Sequence, residues 1–255
     1  MSILIHRPLF IFAFSFIVLW VSARIGWSVL KRLIILNEEI REDFGFILAS
    51  TLTLLGLIIG FSFSMAASRY DQRKNYEEAE ANAIGTEYVR AALLPADSTD
   101  KVRSLLRDYL DQRVLFYSTQ DEKLFSQVNN RTARLQDELW SAILGPAQTH
   151  PTPITALAVS GMNDVLNSQG YTQAAFWNRI PTSAWVLMIT MAIGCNLLVG
   201  YGSHSLTAGS NLLPILPLIV SVAFMLIADL DSPRHGIIRV KPQNLISLAD
   251  SLHPR

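Results

Sequence analysis

Two aspartates near the C-terminus, Asp229 and Asp231, have the side-chain type and spacing to do chemistry. Carboxylates two residues apart occur in metal and sugar-nucleotide sites, but here no third ligand is nearby. The favoured interpretation is a turn whose carboxylates accept backbone amides or pair with Arg234. A metal-dependent enzyme built on these aspartates is the least favoured function.

A line of charged residues follows the second apolar block. At 100° per residue its members lie within about a quarter turn of one helix face, and they are Arg69, Arg73, Glu77, Glu80 and Glu87. Three carboxylates in a line can coordinate a cation or ring a vestibule. We favour a solvated face with ion pairs such as Arg73 to Glu77, which are four residues apart.

The remaining reactive side chains do not assemble a catalytic set. The five histidines are far apart, and Cys195 lies inside an apolar block without a nearby base. No phosphate-binding glycine loop and no nucleophile elbow occurs. Lys plus Arg and Asp plus Glu both total 21, so the chain lacks the basic excess of a nucleic-acid-binding protein. We predict no enzyme, no cofactor, no metal and no nucleic-acid partner.

Apolar blocks dominate the organisation of the chain. Charged residues make up 16% of it, against about 25% in soluble domains. Uncharged or nearly uncharged blocks cover residues 8–30, 44–68, 182–201 and 211–228, and about 20 apolar residues cross a bilayer. The prediction is an all-α polytopic membrane protein with four transmembrane helices. Its segments are a helix pair in 1–68, a water-exposed bundle in 69–181, a second pair in 182–231 and a tail in 232–255.

The first apolar block has two interpretations. His6 and Arg7 precede a run that ends Val21-Ser22-Ala23, which is the layout of a cleavable signal peptide. Apolar residues continue past Arg24, however, and this favours an uncleaved span whose end is marked by Lys31 and Arg32.

The middle segment shows helical spacing throughout. The second span and the residues after it predict one helix of about 50 residues, some 75 Å long. Capping residues at 97–100 then begin a second helix. A third ends at Gly145-Pro146, and a fourth runs from Pro151 and Pro153 to Gly170. Together they predict a four-helix bundle.

Small residues recur at every fourth position of the second span, namely Gly56, Gly60, Ser64 and Ser68. Such a stripe lets membrane helices approach closely. Packing within one subunit is favoured, and a pore-lining or oligomer seam is the alternative. Asn196, inside the third span, is predicted to bond to another helix, with a place along a pathway as its alternative.

The distribution of basic residues near the span ends predicts the orientation. One side carries Arg7, Arg69, Arg73, Lys74, Arg179, Arg234, Arg239 and Lys241; the other carries Lys31, Arg32 and Arg41, with Arg24 if it is counted. This places both termini and the bundle in the cytoplasm.

Several blocks resemble the bacterial bestrophin-like family of membrane proteins. They are 80–95, 162–164, 178–181 and 229–240, and the resemblance covers about residues 40–250. The residues that carry it are Glu80, Asn82, Gly85, Arg90, Pro95, Asn163, Arg179, Pro181, Asp229, Asp231, Pro233 and Gly236. The resemblance implies membrane helices around a helical insert. Because apolar and aromatic residues narrow bestrophin pores, it makes Phe61 and Phe63 the candidate constriction.

Two functions follow as expectations. The first is a homo-oligomeric ion channel or pore, with anions as the implied ions, in the bacterial inner membrane. The alternative is a non-conducting membrane-anchored scaffold or sensor whose helical bundle binds a partner. In both, the lipid bilayer is a partner.

Overall fold

The computed structural model describes residues 8–30, 38–203 and 212–252, and every regular element in these ranges is helical. His6, Arg7, Lys31, Arg32 and Asn211, which entered the sequence predictions, lie outside them, as do His204 and His253. The helices are α1 Pro8–Ile25, α2 Glu38–Arg90, α3 Ala96–Ser118, α4 Glu122–Thr149, α5 Pro153–Trp177, α6 Thr182–Gly202, α7 Ile215–Asp231 and α8 Gln243–Leu252. A π-helical turn, Gly26–Leu30, extends α1, and a 3₁₀ turn, Ala91–Leu93, follows α2.

The predicted long helix is confirmed. Helix α2 has 53 residues and is therefore about 80 Å long. Its first part is uncharged from residue 44 to residue 68, and its second part carries the charged line. The chain divides into two compact units, Met1–Arg69 with Arg179–Arg239, and Tyr70–Asn178 with Val240–Arg255. Residues of α2 contribute to both.

The first unit contains the apolar helices. Helix α1 packs against α6 and α7, and glycines allow its close approach to α6. A Cβ on Gly26 would overlap the carbonyl oxygen of Leu197, and one on Gly200 would overlap that of Ala23. The helical stretches Pro8–Leu30, Glu42–Leu93 and Pro153–Gly202 are long and apolar enough to cross a membrane. Helix α7 is apolar but has 17 residues, so the fourth span stays a proposal.

The second unit encloses a hydrophobic core to which five helices contribute. Its buried side chains come from the second part of α2 and from α3, α4, α5 and α8, and include Ile84, Leu106, Leu139, Met162 and Leu245. The predicted tail therefore contains a helix that completes this core. Helix α8 was not predicted as part of the bundle.

Three predicted helix boundaries are wrong. Residues 97–100 lie inside α3, which begins at Ala96 after Pro95. Helix α4 continues through Pro146 to Thr149, whose hydroxyl donates to the carbonyl of Gly145. Helix α5 passes Gly170 and ends at Trp177, and its N-terminus is capped by Thr152.

Candidate functional site

The small-residue stripe of α2 lies on an exposed face of this chain. Gly56, Gly60, Ser64 and Ser68 are all exposed. A Cβ built on either glycine meets no atom of the described chain within 4 Å. Phe61 and Phe63, the candidate constriction, are also open, with 66% and 44% of their surface exposed. The described part of the chain leaves this face free for lipid or for another subunit.

The charged line beyond this stripe is not a solvated face, so that prediction is wrong. Arg73, Glu77, Glu80 and Glu87 are all buried, with 3%, 1%, 0% and 0% of their surface exposed. The cation-site alternative also fails among the described residues, where no three His, Cys, Asp or Glu side chains converge. Each carboxylate instead has its own surroundings in the second unit.

Glu80 lies at the centre of a buried polar cluster, which we call the Glu80 cluster. Its Oε1 accepts a hydrogen bond from the Arg113 guanidinium of α3, and its Oε2 accepts from Thr172 of α5 at 3.1 Å. The hydroxyl of Tyr117 lies 3.5 Å from both Glu80 Oε2 and Thr172 Oγ1. The Arg113 guanidinium also lies over the ring of Phe116, 4.2 Å from its centroid. The cluster ties α2, α3 and α5 together.

Burial and the neighbouring charges shift the pKa values of Arg113 and of two nearby tyrosines. Burial is the largest single influence and opposes the charge of Arg113, but the charge and hydrogen bond of Glu80, together with Tyr109 and Tyr117, outweigh it, and the pKa of Arg113 is raised. Burial and the negative charge of Glu80 raise the pKa of Tyr109 and of Tyr117. Both phenols therefore remain protonated over the physiological range.

Arg113 was not predicted as a site residue, although the sequence contains a signal for it. On α3 the buried positions Leu106, Tyr109 and Leu110 are followed by Arg113 and Phe116 at the same helical spacing. A charged residue on an apolar stripe needs a buried partner of opposite charge. Glu80 of the charged line is that partner.

Glu77 caps the C-terminal helix. Its Oε1 accepts hydrogen bonds from the backbone amides of Asn244 and Leu245, at 2.9 and 3.0 Å, and its Oε2 accepts from the Asn244 side chain at 2.6 Å. These amides belong to the first turn of α8, where backbone donors lack partners within the helix. The carboxylate also complements the positive end of the helix dipole.

Glu87 differs from Glu77 and Glu80 because its carboxylate is buried without hydrogen bonds to the described part of the chain. Neither of its oxygens has a hydrogen-bond partner among the described residues. A Cβ at Gly161 of α5 would overlap Glu87 Oε2 and lie 2.8 Å from Arg90 Nη1, so a larger residue there would displace these two side chains. Burial raises the pKa of Glu87 to about 8; Arg90 opposes the shift, and Asp164 adds to it. Glu87 lies far beyond Ser68, the last residue of the uncharged stretch.

The two C-terminal aspartates bind backbone amides, as the favoured interpretation predicted. Asp229 accepts from the amides of Ile237 and Ile238 at 2.5 and 2.8 Å, and Asp231 accepts from Ile180 at 2.9 Å. A Cβ on Gly236 would lie 2.7 Å from the Asp229 carbonyl oxygen. This arrangement folds the segment after α7 back onto the end of that helix.

The other motif residues are spread over the two units. Gly85 lies beside Leu248 of α8, Arg90 is near Glu87, and Pro233 is half-buried. The exposed ones are Asn82, Pro95, Asn163, Arg179 and Pro181. The motif residues therefore lie at helix contacts and at the ends of segments, and they do not line a single shared pocket.

Asn196 departs from its prediction. Its side chain is fully buried and donates to the carbonyl of Ala192 at 2.8 Å, one turn earlier on α6. The bond is within its own helix. Its Oδ1 has no hydrogen-bond partner in the described chain.

Comparison with known proteins identifies the family to which this chain belongs. The bestrophin-like domain matches residues 9–245, nearly the whole chain. The chain belongs to the bestrophin-like family. The resemblance stated from the sequence is thereby confirmed. No curated protein matches the sequence.

Solved structures share the bestrophin-like fold. One variant of a bacterial bestrophin homologue from Klebsiella pneumoniae is 14% identical with a TM-score of 0.62, over 96% of this chain and 97% of its own. A second variant from that organism gives 14% identity and a TM-score of 0.60, over 94% and 93%. A crystal structure of a membrane protein is 13% identical to this chain, with a TM-score of 0.64. The match covers 97% of this chain and 100% of that one. At these identities the likeness concerns the fold alone. With the apolar helices, the family indicates an integral membrane protein.

Proposed function

We propose that this bestrophin-like protein assembles as a homo-oligomer in which the α2 helices line an ion pathway. The observation that carries the proposal is the exposed uncharged face of α2. In the most apolar 18-residue stretch of this helix, 6% of the residues are buried, whereas 28% are buried in the corresponding stretch of Pro8–Leu30. A helix this apolar needs lipid or protein around it, and its small-residue stripe suits close helix contacts.

The composition of the α2 face suits a pathway. Glycines and serines at every fourth position leave room and supply hydroxyls, while Phe61 and Phe63 provide rings that narrow a lumen. Hydrophobic constrictions gate channels by excluding water. Anions as the conducted ions rest on the resemblance to bestrophin channels.

The membrane arrangement is also part of the proposal. Helix α7 serves as the fourth span, since 17 residues rise about 26 Å and fall at the lower limit for crossing a bilayer. The excess of Lys and Arg near the span ends supports a cytoplasmic position for both termini and the helical unit, with the spans in the bacterial inner membrane.

The native mass of the protein in lipid nanodiscs tests this assembly. The proposal expects a discrete ring of several copies, because one chain has too few helices for a central pore. A monomer or simple dimer would contradict it. Such a result would favour the alternative, a membrane-anchored scaffold, for which the separate core of the helical unit is the supporting observation.

A further inference from the structure

An open aromatic groove of about 400 Å³ lies between α2 and α5 in the helical unit. We call it the aromatic groove, and its lining includes Gln72, Tyr76, Tyr171, Ala174 and Trp177. The rings of Tyr76 and Tyr171 stack at 6.0 Å between centroids. Trp177 has 75% of its surface exposed and Tyr171 has 58%. Such large rings are seldom left in water, so the groove needs an occupant.

The position of the groove along the chain indicates what covers it. Gln72 lies four residues beyond Ser68 on the unbroken helix α2, which is a rise of about 6 Å. Tyr76 is one turn further, and its side chain tilts back toward the Ser68 end because helical side chains lean toward the N-terminus of the helix. Trp177 ends α5 five residues before Thr182, the first residue of α6. The headgroup layer adds about 5–8 Å to each side of the hydrocarbon core, and Trp and Tyr concentrate at that depth.

The chemistry of the lining narrows the ligand further. No Asp, Glu, Lys or Arg contributes to it, so a strongly charged ligand would lack a counter-charge. Indole N–H, phenol O–H and the Gln72 amide donate hydrogen bonds, while the ring faces are apolar. This pattern fits the neutral ester oxygens and the glycerol carbons of a phospholipid.

We propose that the aromatic groove holds the glycerol-ester region of a phospholipid from the adjoining leaflet. The inference rests on the membrane embedding in the proposed function, and it is independent of whether the protein conducts ions. Because the glycerol-ester region is common to phospholipids, the groove binds lipids of different headgroup charge alike.

Tryptophan quenching in proteoliposomes tests the proposal on the full-length protein. The vesicles contain a phospholipid spin-labelled on its headgroup, and acrylamide serves as the aqueous quencher. The difference between wild type and Trp177→Phe isolates the signal of Trp177. Trp140→Phe is the control, because Trp140 packs against the core of the same unit.

The expected result is a loss of lipid-quenchable fluorescence in Trp177→Phe but not in Trp140→Phe, with little quenching of Trp177 by acrylamide. Quenching by acrylamide alone would place the groove in water and overturn the proposal. Quenching by neither would mean that another copy of the chain covers it, and would also overturn it.

Lipid composition gives a second readout that needs no variant. Vesicles of phosphatidylethanolamine and of phosphatidylglycerol, with the same labelled lipid, should quench Trp177 equally. Quenching in only one of the two would contradict binding through the glycerol-ester region. A loss of conduction, by contrast, would leave these results unchanged.

Discussion

Glu80 of α2 and Arg113 of α3 form an ion pair in which neither side chain is exposed to solvent. Removing one partner leaves the other charge buried and uncompensated. We therefore expect Arg113→Met to lower the free energy of unfolding by about 3–5 kcal/mol. Chemical denaturation of the detergent-solubilised protein, followed by circular dichroism, measures this loss.

An exposed pair on α4 is the matched control. Arg131 and Glu138 are 3.3 Å apart, with 40% and 46% of their side chains exposed. Arg131→Gln should cost less than about 1 kcal/mol. The double variant Glu80→Gln with Arg113→Met should lose less than the sum of the single losses. Equal costs for Arg113→Met and Arg131→Gln would contradict the structural role of the Glu80 cluster.

Glu77 should hold the C-terminal helix in place. Glu77→Ala removes the acceptor of the first-turn amides of α8, a loss of about 0.5–2 kcal/mol. Hydrogen exchange should speed up in Gln243–Leu252. Glu78→Ala, which changes an exposed neighbour on the same helix, should leave exchange in α8 unchanged. If both variants behave alike, Glu77 does not cap this helix.

Helix α8 shows why part of the fold escaped prediction. The uncharged blocks and the unbroken helical spacing of α2 are local properties, so the sequence was enough to predict the apolar helices and the long helix. Which face of α2 is covered depends on α3, α5 and α8, and the last of these is distant in sequence. For that reason the sequence predicted that the charged line shares one helix face, but it wrongly predicted that this face is exposed to solvent.

The helix ends were missed for a related reason. Gly145-Pro146 and Gly170 are stop signals in isolation, but the packed helices continue beyond them. The carbonyl of Pro146 accepts hydrogen bonds from His150 and Thr149, which supports the last turn of α4. The small-residue stripe that contains Gly60, and the neighbouring Phe61, could by contrast be identified from the sequence, because the stripe is defined by residue spacing alone.

The buried carboxyl of Glu87 predicts a dependence of stability on pH. Its pKa is raised from 4.5 to about 8, so the folded state binds this proton more tightly than the unfolded state does. The stabilisation is fully present below pH 4.5 and is lost as the pH rises through about 8. Relative to Glu87→Gln, the wild type should lose at most about 1.4 kcal/mol per pH unit between these values.

Thermal unfolding at a series of pH values measures this difference. Glu78→Gln is the control on the same helix and should keep the pH dependence of the wild type. Overlapping profiles for the wild type and Glu87→Gln would show that the carboxyl of Glu87 titrates normally in the folded protein.

Asp229 is expected to act through the backbone and not through a metal. Asp229→Asn weakens the acceptor for Ile237 and Ile238, and should cost about 1–3 kcal/mol. Asp250→Asn, at an exposed position of α8, should cost little. Melting temperatures with and without Mg²⁺ decide the matter. If Mg²⁺ raised the melting temperature of the wild type but not of Asp229→Asn, a metal site would replace this account.

Ion flux through the protein reconstituted in liposomes tests the central claim most directly. Wild-type protein should release a trapped anion, and Gly60→Leu should change the rate, because leucine adds bulk to the exposed face of α2. Ile58→Phe, which adds bulk on the opposite side of α2 from Gly60, is the control and should retain flux. A correctly assembled oligomer that passes no ions, or an unchanged rate in Gly60→Leu, would contradict the proposed pathway.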